Sequence, residues 1–238
     1  MIPKVIHYIW LGGKPKSSMA NICILSWKEK LPDYQIIEWN ETNLDLDKIA
    51  SENTFFAECR KRHMWAYMAD YLRIRILYQY GGIYFDTDIQ VLKPLDCLLH
   101  EKIVAGEEQP GVVNAGVLMC EPNLDLMMDM LSFYNGEIMN SRLYIIPDIL
   151  SKCSRKLGYN FSNYGREYFY PFYYNEIFTP DCITANTYTI HWWEGSWKNL
   201  RSNMFLSTKH IHNPVLKFII KLEKVGGYFF RRFLQKVE

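Results

Sequence analysis

One stretch, residues 63–94, constrains the fold of this chain more than any other. Apolar or small side chains recur every three or four residues from 64 to 80, which predicts a helix with one buried stripe. Gly81 and Gly82 follow, and glycine ends helices because it takes up the left-handed conformation without steric cost. Residues 83–85 are β-branched or aromatic and predict a short buried strand. Helix, glycine turn and buried strand in direct succession favour an α/β architecture.

Two carboxylates come directly after the predicted strand. Asp86 and Asp88 are separated by Thr87, and in an extended segment residues two apart point to the same face. Two converging anions repel each other, so a cation usually joins them, and the hard ions Mn²⁺ and Mg²⁺ are the natural candidates, typically shared with phosphates. An ordinary exposed Asp-Thr-Asp turn explains the same residues. The pair alone leaves both interpretations open.

A second charged pair lies on the helix before the strand. Asp70 and Arg73 stand three residues apart and therefore share one helix face. Either they form an exposed ion pair, or the helix brings that face close to Asp86 and Asp88. The short glycine connection to the strand is compatible with the second arrangement.

The full pattern resembles a known family. The spacing A-x-x-x-D-x-x-R-x-x-x-L-x-x-x-G-G-I-Y-x-D-T-D is similar to the DXD sugar-binding signature of glycosyltransferase family 32, which is similar in turn to the glucosyltransferase domain of the large clostridial toxins. The matching residues are Ala66, Asp70, Arg73, Leu77, Gly81, Gly82, Ile83, Tyr84, Asp86, Thr87 and Asp88. The resemblance implies a GT-A fold, which is a Rossmann-like α/β domain with a mostly parallel central sheet and helices on both faces.

The same resemblance implies a reaction and roles for these side chains. The reaction is metal-dependent transfer of a sugar, with retention of configuration, from a nucleoside-diphosphate sugar (a UDP-sugar is favoured) to a saccharide or lipid-linked saccharide acceptor. Asp88 would ligate Mn²⁺ or Mg²⁺ directly, and Asp86 would contact the metal and the ribose. Asp70 and Arg73 would hold hydroxyls of the donor sugar.

Two further donor contacts are predicted elsewhere. Trp10 lies near the end of a strand-like run, residues 2–11, just before a Gly-Gly turn, where its ring suits stacking on a nucleotide base. The opening I-P-K-x-I-H-x-I-W-x-G also resembles the family's first strand, whose tryptophan stacks on the donor's base. Asn114 is close to Gly116 in a predicted strand, and such a glycine often marks a close backbone approach. Asn114 is therefore either a sugar contact or a turn asparagine.

A motif near the C-terminus resembles a second family signature. Residues 188–193 predict a late strand, and the run H-x-W-x-x-S-W resembles the motif that closes the metal and diphosphate site in related GT-A enzymes. The resemblance makes His191 or Glu194 the third metal ligand and adds Ser196 to the shell. It also lets the indole N–H of Trp197 donate to the leaving phosphate, although a buried structural indole is the other interpretation of Trp197.

Composition bounds the class of protein. With 49% hydrophobic and 22% charged residues the chain is globular, and a net charge of +1 gives no argument for nucleic-acid binding. Six scattered cysteines without a C-x-x-C pair argue against a zinc site or disulfide framework. Neither a signal-peptide pattern nor an apolar run near the ~18 residues of a membrane span is found. A cytoplasmic location is expected, either free or peripheral at the inner face of the membrane.

Residues 1–208 are the expected catalytic domain and residues 209–238 a basic amphipathic tail. In the tail, apolar residues recur at helical spacing while lysines form another face. Such a tail either lies on an anionic membrane or packs on its own domain. The small size and the tail favour a role in building capsule or another surface polysaccharide on a lipid carrier.

Two other classes of function use similar residues. A Mg²⁺ phosphohydrolase of the haloacid dehalogenase type also places Asp-x-Asp after a strand, but it requires Thr or Val where this chain has Gln90. A catalytically silent sugar- or lipid-binding module does not need the complete set of charged residues. Glycosyl transfer is therefore the preferred interpretation.

Overall fold

A five-stranded sheet forms the centre of the molecule. The computed structural model describes residues 1–161, 163–195 and 204–223. In spatial order the sheet is β2-β1-β3-β6-β5, and its strands are β1 (Val5–Ile9), β2 (Gln35–Trp39), β3 (Gly82–Phe85), β5 (Ile103–Gln109) and β6 (Val112–Cys120). β1 pairs in parallel with β2 and β3, whereas β6 is antiparallel to β3 and β5. Four of these five strands therefore point the same way, as the predicted mostly parallel sheet requires.

A small second sheet and the helices complete the architecture. β4 (Ile89–Val91) pairs antiparallel with β7 (Thr189–His191). The helices are α1 (Ser18–Lys30), α2 (Leu46–Glu52), α3 (Thr54–Lys61), α4 (Trp65–Tyr80), α5 (Asp125–Ser132), α6 (Ile146–Leu157), α7 (Arg166–Phe169) and α8 (residues 214–223). Within the described ranges, no helix is long and apolar enough to cross a membrane.

The sheet separates two apolar clusters because successive side chains of a strand point to opposite faces. In β3, Ile83 and Phe85 pack into one cluster together with residues of α1 and α7. Tyr84 packs into the other cluster, which also takes its side chains from α2 to α6. The fold is thus a mixed α/β domain with helices on both faces of the sheet.

Local sequence signals fix the two helices that lead to the site. The Ser17 side chain accepts a hydrogen bond from the Ala20 backbone N–H at 3.0 Å and caps α1. α4 ends at Gly81, whose φ of 62° is positive and favours glycine. Its ψ of −157° differs from the left-handed helical conformation that the sequence predicts for it. A Cβ at Gly81 would lie 2.6 Å from the backbone nitrogen of Pro122, so a side chain is excluded there. These contacts set where β3 begins.

His7 ties the end of α4 to β1. Its Nδ1 accepts from Trp39 Nε1 at 3.1 Å, so its Nε2 carries the proton and donates to the Gly81 carbonyl at 3.0 Å. Burial lowers the pKa of His7 to about 4, although the bond to Gly81 opposes this shift. His7 is therefore a neutral, structural histidine.

The predicted start of one helix is wrong. The sequence predicts a helix over residues 140–157 that is interrupted by Pro147, but α6 begins at Ile146 and Pro147 lies in its first turn. Proline is tolerated there because the N–H that it lacks would have no partner within the helix. Pro147 therefore starts this helix instead of breaking it.

Candidate active site

The carboxylate pair lies in a tight turn at the carboxyl end of β3. The Asp86 backbone N–H donates to the Gly116 carbonyl at 2.8 Å, and the Ile89 N–H donates to the Asp86 carbonyl at 3.0 Å. The expectation that Asp86 to Asp88 are extended is therefore wrong, because the backbone turns between β3 and β4. The two carboxylates still converge, and their side chains are only 23% and 14% exposed. The Asp-Thr-Asp turn is therefore partly buried and is not the exposed turn considered as the alternative.

His191 joins the carboxylates from a part of the chain about a hundred residues away. The register of the β4–β7 pair sets His191 opposite Ile89, and the Trp192 N–H donates to the Asp88 carbonyl at 3.0 Å. His191 Nε2 lies 3.2 Å from Asp88 Oδ1. Potential ligand atoms of Asp86, Asp88 and His191 all lie within 4.8 Å of one another. Two carboxylates and an imidazole at this spacing can hold a divalent cation.

The surroundings of this triad leave room for an ion. A Cβ built on Gly116 would lie 3.0 Å from Asp86 Oδ2 and 3.5 Å from His191 Cε1, so glycine keeps that space clear. The buried Nδ1 of His191 has no hydrogen-bond partner among the described residues, and a bound ion is one of the groups that can account for such an atom. The residues present therefore fit a divalent metal of the Mn²⁺ or Mg²⁺ class.

Asp88 and His191 form an ion pair when no cation separates them. Burial raises the pKa of Asp88, but the charge and hydrogen bond of His191 and the Glu194 N–H outweigh it, so the net shift is downward. Burial lowers the pKa of His191, but Asp88 outweighs it and the net shift is upward. A metal ion bound by His191 would have to displace any proton from the coordinating ring nitrogen.

Asp70 and Arg73 lie behind the triad and are almost wholly buried. Arg73 donates through Nη1 to the Ala115 carbonyl at 2.7 Å and through Nη2 to Asp86 Oδ1 at 3.0 Å. Its guanidinium carbon also lies 4.3 Å from the centre of the Tyr84 ring. The exposed ion pair considered from the sequence is therefore excluded, and Arg73 instead fixes Asp86 from the interior.

Asp70 is the more unusual partner. It is fully buried, and its Oδ1 lies 2.9 Å from Arg73 Nη2, yet neither carboxylate oxygen makes a well-directed hydrogen bond to a described residue. Burial raises the pKa of Asp70 to about 7, Arg73 opposes the shift and Asp86 adds to it. This carboxyl group therefore titrates near neutral pH.

Trp10 follows β1 at the same edge of the sheet. β1 and β3 are parallel neighbours, and their register, extended by a few residues, sets Trp10 level with Thr87. The indole Nε1 donates to the Lys14 carbonyl at 2.6 Å, and the residue as a whole is partly buried. The structure thus brings Trp10 to the edge that carries the triad.

Asn114 is also at the site, together with a residue that sequence reasoning missed. Its Oδ1 accepts from the Gly116 N–H at 2.6 Å, and its Nδ2 donates to Glu108 Oε2 at 2.5 Å. The half-buried Glu108 carboxylate is close enough to contribute to the raised pKa of His191. Glu108 lies inside a register shift between Glu107 and Gln109 in the pairing of β5 with β6, which no local sequence signal identifies.

Glu194, the alternative third ligand, lies beside the triad. Its carboxylate accepts from the Ser17 hydroxyl at 2.7 Å, while its backbone N–H donates to Asp88 Oδ2 at 2.9 Å. The cluster of potential ligands contains His191 and not Glu194. The other two residues of this motif, Ser196 and Trp197, lie outside the described residues.

Trp193 shapes this end of the site by an unusual backbone conformation. Its φ of 56° is a strained value for a bulky side chain. The indole packs against the His191 ring, with centroids 3.9 Å apart and the planes tilted by 32°, and donates through Nε1 to the Phe172 carbonyl at 2.9 Å. The strained residue thus holds His191 in place and directs the Glu194 N–H towards Asp88.

Comparisons with known proteins agree with this geometry. Residues 17–105 match the family described as glycosyltransferase sugar-binding region containing DXD motif. Inositol phosphoceramide mannosyltransferase 3 of Schizosaccharomyces pombe is 29% identical over 121 residues, 49% of this chain and 33% of the relative. Inositol phosphoceramide mannosyltransferase 1 of the same yeast is 31% identical over 101 residues, 41% of this chain and 31% of the relative. This chain therefore spans about a third of the length of these curated relatives.

The fold has a counterpart among solved structures. The chain titled PaToxG Glycosyltransferase superposes with a TM-score of 0.52 at 18% identity, over 66% of this chain and 69% of that one. The predicted GT-A fold is confirmed by this likeness together with the order and direction of the strands.

Proposed function

We propose that this chain, of which residues 17–105 match the family of glycosyltransferase sugar-binding regions containing a DXD motif, transfers a sugar from a nucleoside diphosphate to a hydroxyl group of a saccharide acceptor. The observation that carries the proposal is the cluster of Asp86, Asp88 and His191 at the carboxyl edge of the sheet. In open α/β sheets, ligands bind at this edge. The region that matches the family contains both aspartates.

The proposed roles follow from the contacts. Asp86, Asp88 and His191 hold Mn²⁺ or Mg²⁺, and a bound ion supplies positive charge that stabilises the leaving nucleoside diphosphate. Arg73 fixes the direction of the Asp86 carboxylate through its 3.0 Å hydrogen bond. Trp10 stacks on the base of the donor.

Finer features of the reaction stay predictions. They are contact of Asp70, Arg73, Asn114 and Ser196 with the donor, donation from Trp197 to the leaving phosphate, retention of configuration, preference for a UDP-sugar and the cytoplasmic location. The two relatives are named mannosyltransferases that act on inositol phosphoceramide. Mannose and a lipid-linked acceptor therefore enter the proposal beside capsule or other surface polysaccharide.

The first experiment measures release of nucleoside diphosphate from a panel of UDP- and GDP-sugars, including GDP-mannose, with and without Mn²⁺. We expect metal-dependent release from one donor, and loss of that release in Asp88→Asn. Asp33→Asn is the matched control, because Asp33 lies in an exposed turn away from the site. A wild-type protein that neither releases nor binds any donor by calorimetry contradicts the proposal. Turnover of a donor excludes a catalytically silent module.

A second experiment separates the two candidate third ligands. Mn²⁺ binding is followed by the loss of the free-ion electron paramagnetic resonance signal in His191→Gln and in Glu194→Gln. We expect the His191 variant to bind Mn²⁺ at least tenfold more weakly and the Glu194 variant to stay near the wild type. The opposite result assigns the ligand to Glu194.

A further inference from the structure

Helix α8 has well-defined start signals and an exposed apolar side. Asn213 caps it, since its Oδ1 accepts from the N–H groups of Val215 and Leu216 at 3.0 and 3.1 Å. Pro214 takes the first helical position, where proline is favoured. Val215, Phe218, Ile219 and Leu222 recur at helical spacing and share one face, yet they are 66%, 61%, 46% and 54% exposed. Packing of this face on its own domain, one of the two sequence-based alternatives, is therefore excluded for the described residues.

The opposite side of α8 is basic. Lys217 and Lys221 are four residues apart and line a cavity of about 330 Å³ between the helix and the domain. Arg62 and Lys209 line the same cavity, and Glu58 is the acidic residue of its wall. Glu58 is already neutralised by an ion pair with Arg62. The cavity therefore carries an excess of positive charge.

The floor of this cavity is apolar. It is lined by Met139, Met204 and Phe205, and the Arg62 guanidinium carbon lies 4.4 Å from the centre of the Phe205 ring. Lys209 donates to the carbonyls of Ile138 and Ser141, which holds the segment before α8 against the domain. A site with cationic walls and an apolar floor suits an amphiphile with an anionic headgroup.

Charge is also unevenly distributed along the sequence. Residues 209–238 contain seven Lys or Arg and two Glu, whereas the whole chain has a net charge of only +1. The remaining 208 residues are therefore net acidic. A basic segment on an acidic body favours one partner surface of negative charge and orients the protein towards it.

We infer that α8 and this cavity form a docking surface for an anionic lipid bilayer. The exposed face of α8 enters the boundary between headgroups and acyl chains, where each buried Phe, Ile or Leu side chain gains about 1.5–3 kcal/mol. A helix is about 10 Å across with its side chains, so Lys217 and Lys221 lie at the level of the lipid phosphates. The cavity then takes a headgroup phosphate. This inference does not depend on the proposed transferase activity.

The test is co-sedimentation of the full chain with sucrose-loaded vesicles of phosphatidylcholine, alone or with one quarter phosphatidylglycerol. We expect partitioning at least tenfold higher on the anionic vesicles. Phe218→Glu is expected to reduce it tenfold or more, and the Lys217→Gln, Lys221→Gln double variant about fivefold per lysine. Ile177→Glu is the matched control, since Ile177 is exposed and lies outside α8, and it should bind like the wild type. All four side chains are on the surface, so unchanged thermal midpoints verify folding.

Three outcomes overturn the inference. One is equal binding to both vesicle types, or binding that neither α8 variant reduces. Another is a concentration-dependent dimer that is seen by light scattering and dissociated by Phe218→Glu. That result would show that a second copy of this chain, and not a bilayer, covers the apolar face of α8. The third is millimolar inorganic phosphate that binds in calorimetry through the two lysines without any vesicle binding, which makes the cavity a site for soluble anions. Vesicle binding tests the docking surface, and donor turnover tests the proposed transferase activity. The failure of one proposal is therefore distinguishable from the failure of the other.

Discussion

The space beside Gly116 provides the sharpest test of the site. Gly116→Ala adds one methyl group, and the backbone there does not require a positive φ, so alanine can adopt it. The added Cβ would lie 3.0 Å from Asp86 Oδ2, 3.1 Å from Asn114 Oδ1 and 3.5 Å from His191 Cε1. Ordinary van der Waals contact begins at 3.4 Å, so the two oxygens must move by a few tenths of an ångström.

The expected loss of Mn²⁺ affinity follows from the contacts of those two oxygens. Asp86 is held by Arg73 from behind and cannot retreat without lengthening a 3.0 Å hydrogen bond. Displacements of groups that orient metal ligands commonly cost 10- to 100-fold in metal affinity. We therefore expect Mn²⁺ to bind Gly116→Ala at least tenfold more weakly, a loss of about 1.4 kcal/mol or more.

The assay is calorimetric or paramagnetic titration of Mn²⁺, with the urea unfolding midpoint as the check on folding. Gly136→Ala is the matched control, because a Cβ at Gly136 meets nothing within 4 Å. The control should bind Mn²⁺ like the wild type. If a folded Gly116→Ala protein binds Mn²⁺ within twofold of the wild type, the assignment of this space to a metal is refuted.

Three further predictions concern the groups around the site. Arg73→Met should lower the unfolding free energy by about 3–5 kcal/mol, because it leaves a buried acid without its cationic partner. In urea titrations, the double variant Arg73→Met, Asp70→Asn should lose less than the sum of the two single losses. Simple additivity would show that the two side chains do not interact. Since the folded-state pKa of His7 is about 4 against an ordinary 6.5, its stabilisation is complete above pH 6.5 and is lost as pH falls towards 4, by about 3 kcal/mol. His7→Gln should flatten that pH dependence in urea midpoints measured from pH 7 to 4.5, and an unchanged slope would contradict the shift. Glu108→Gln removes the charge that fixes Asn114. In calorimetry it should weaken binding of the sugar donor about fivefold and leave the affinity for the free nucleoside diphosphate unchanged. Equal losses of affinity for both ligands would place Glu108 away from the sugar.

The sequence predicted those parts of the fold that depend on short-range rules. The Ser17 cap and the Gly81 C-cap are decided by neighbouring backbone atoms, so α1, α4 and the start of β3 could be inferred within a residue or two. The convergence of Asp86 and Asp88 was also inferred, although through a turn and not through an extended strand.

What the sequence left undecided depends on contacts between distant segments. The carboxylate of Glu194 accepts a hydrogen bond from Ser17, next to the positive φ of Trp193. The local sequence does not predict a positive φ for a tryptophan. Glu108 reaches the site because the pairing of β5 with β6 shifts its register. Such shifts depend on how the whole sheet packs, so residue pattern alone does not identify them.

The pairing of β4 with β7 also has a consequence for the time at which the site is complete. Asp88 and His191 are neighbours in space but are separated by 102 other residues of chain. During synthesis at about 5–20 residues per second, the ribosome makes both aspartates several seconds before the histidine. A nascent or prematurely ended chain can therefore form most of the central sheet and still lack one ligand. A site that uses all three side chains can therefore form only after β7 has been synthesised.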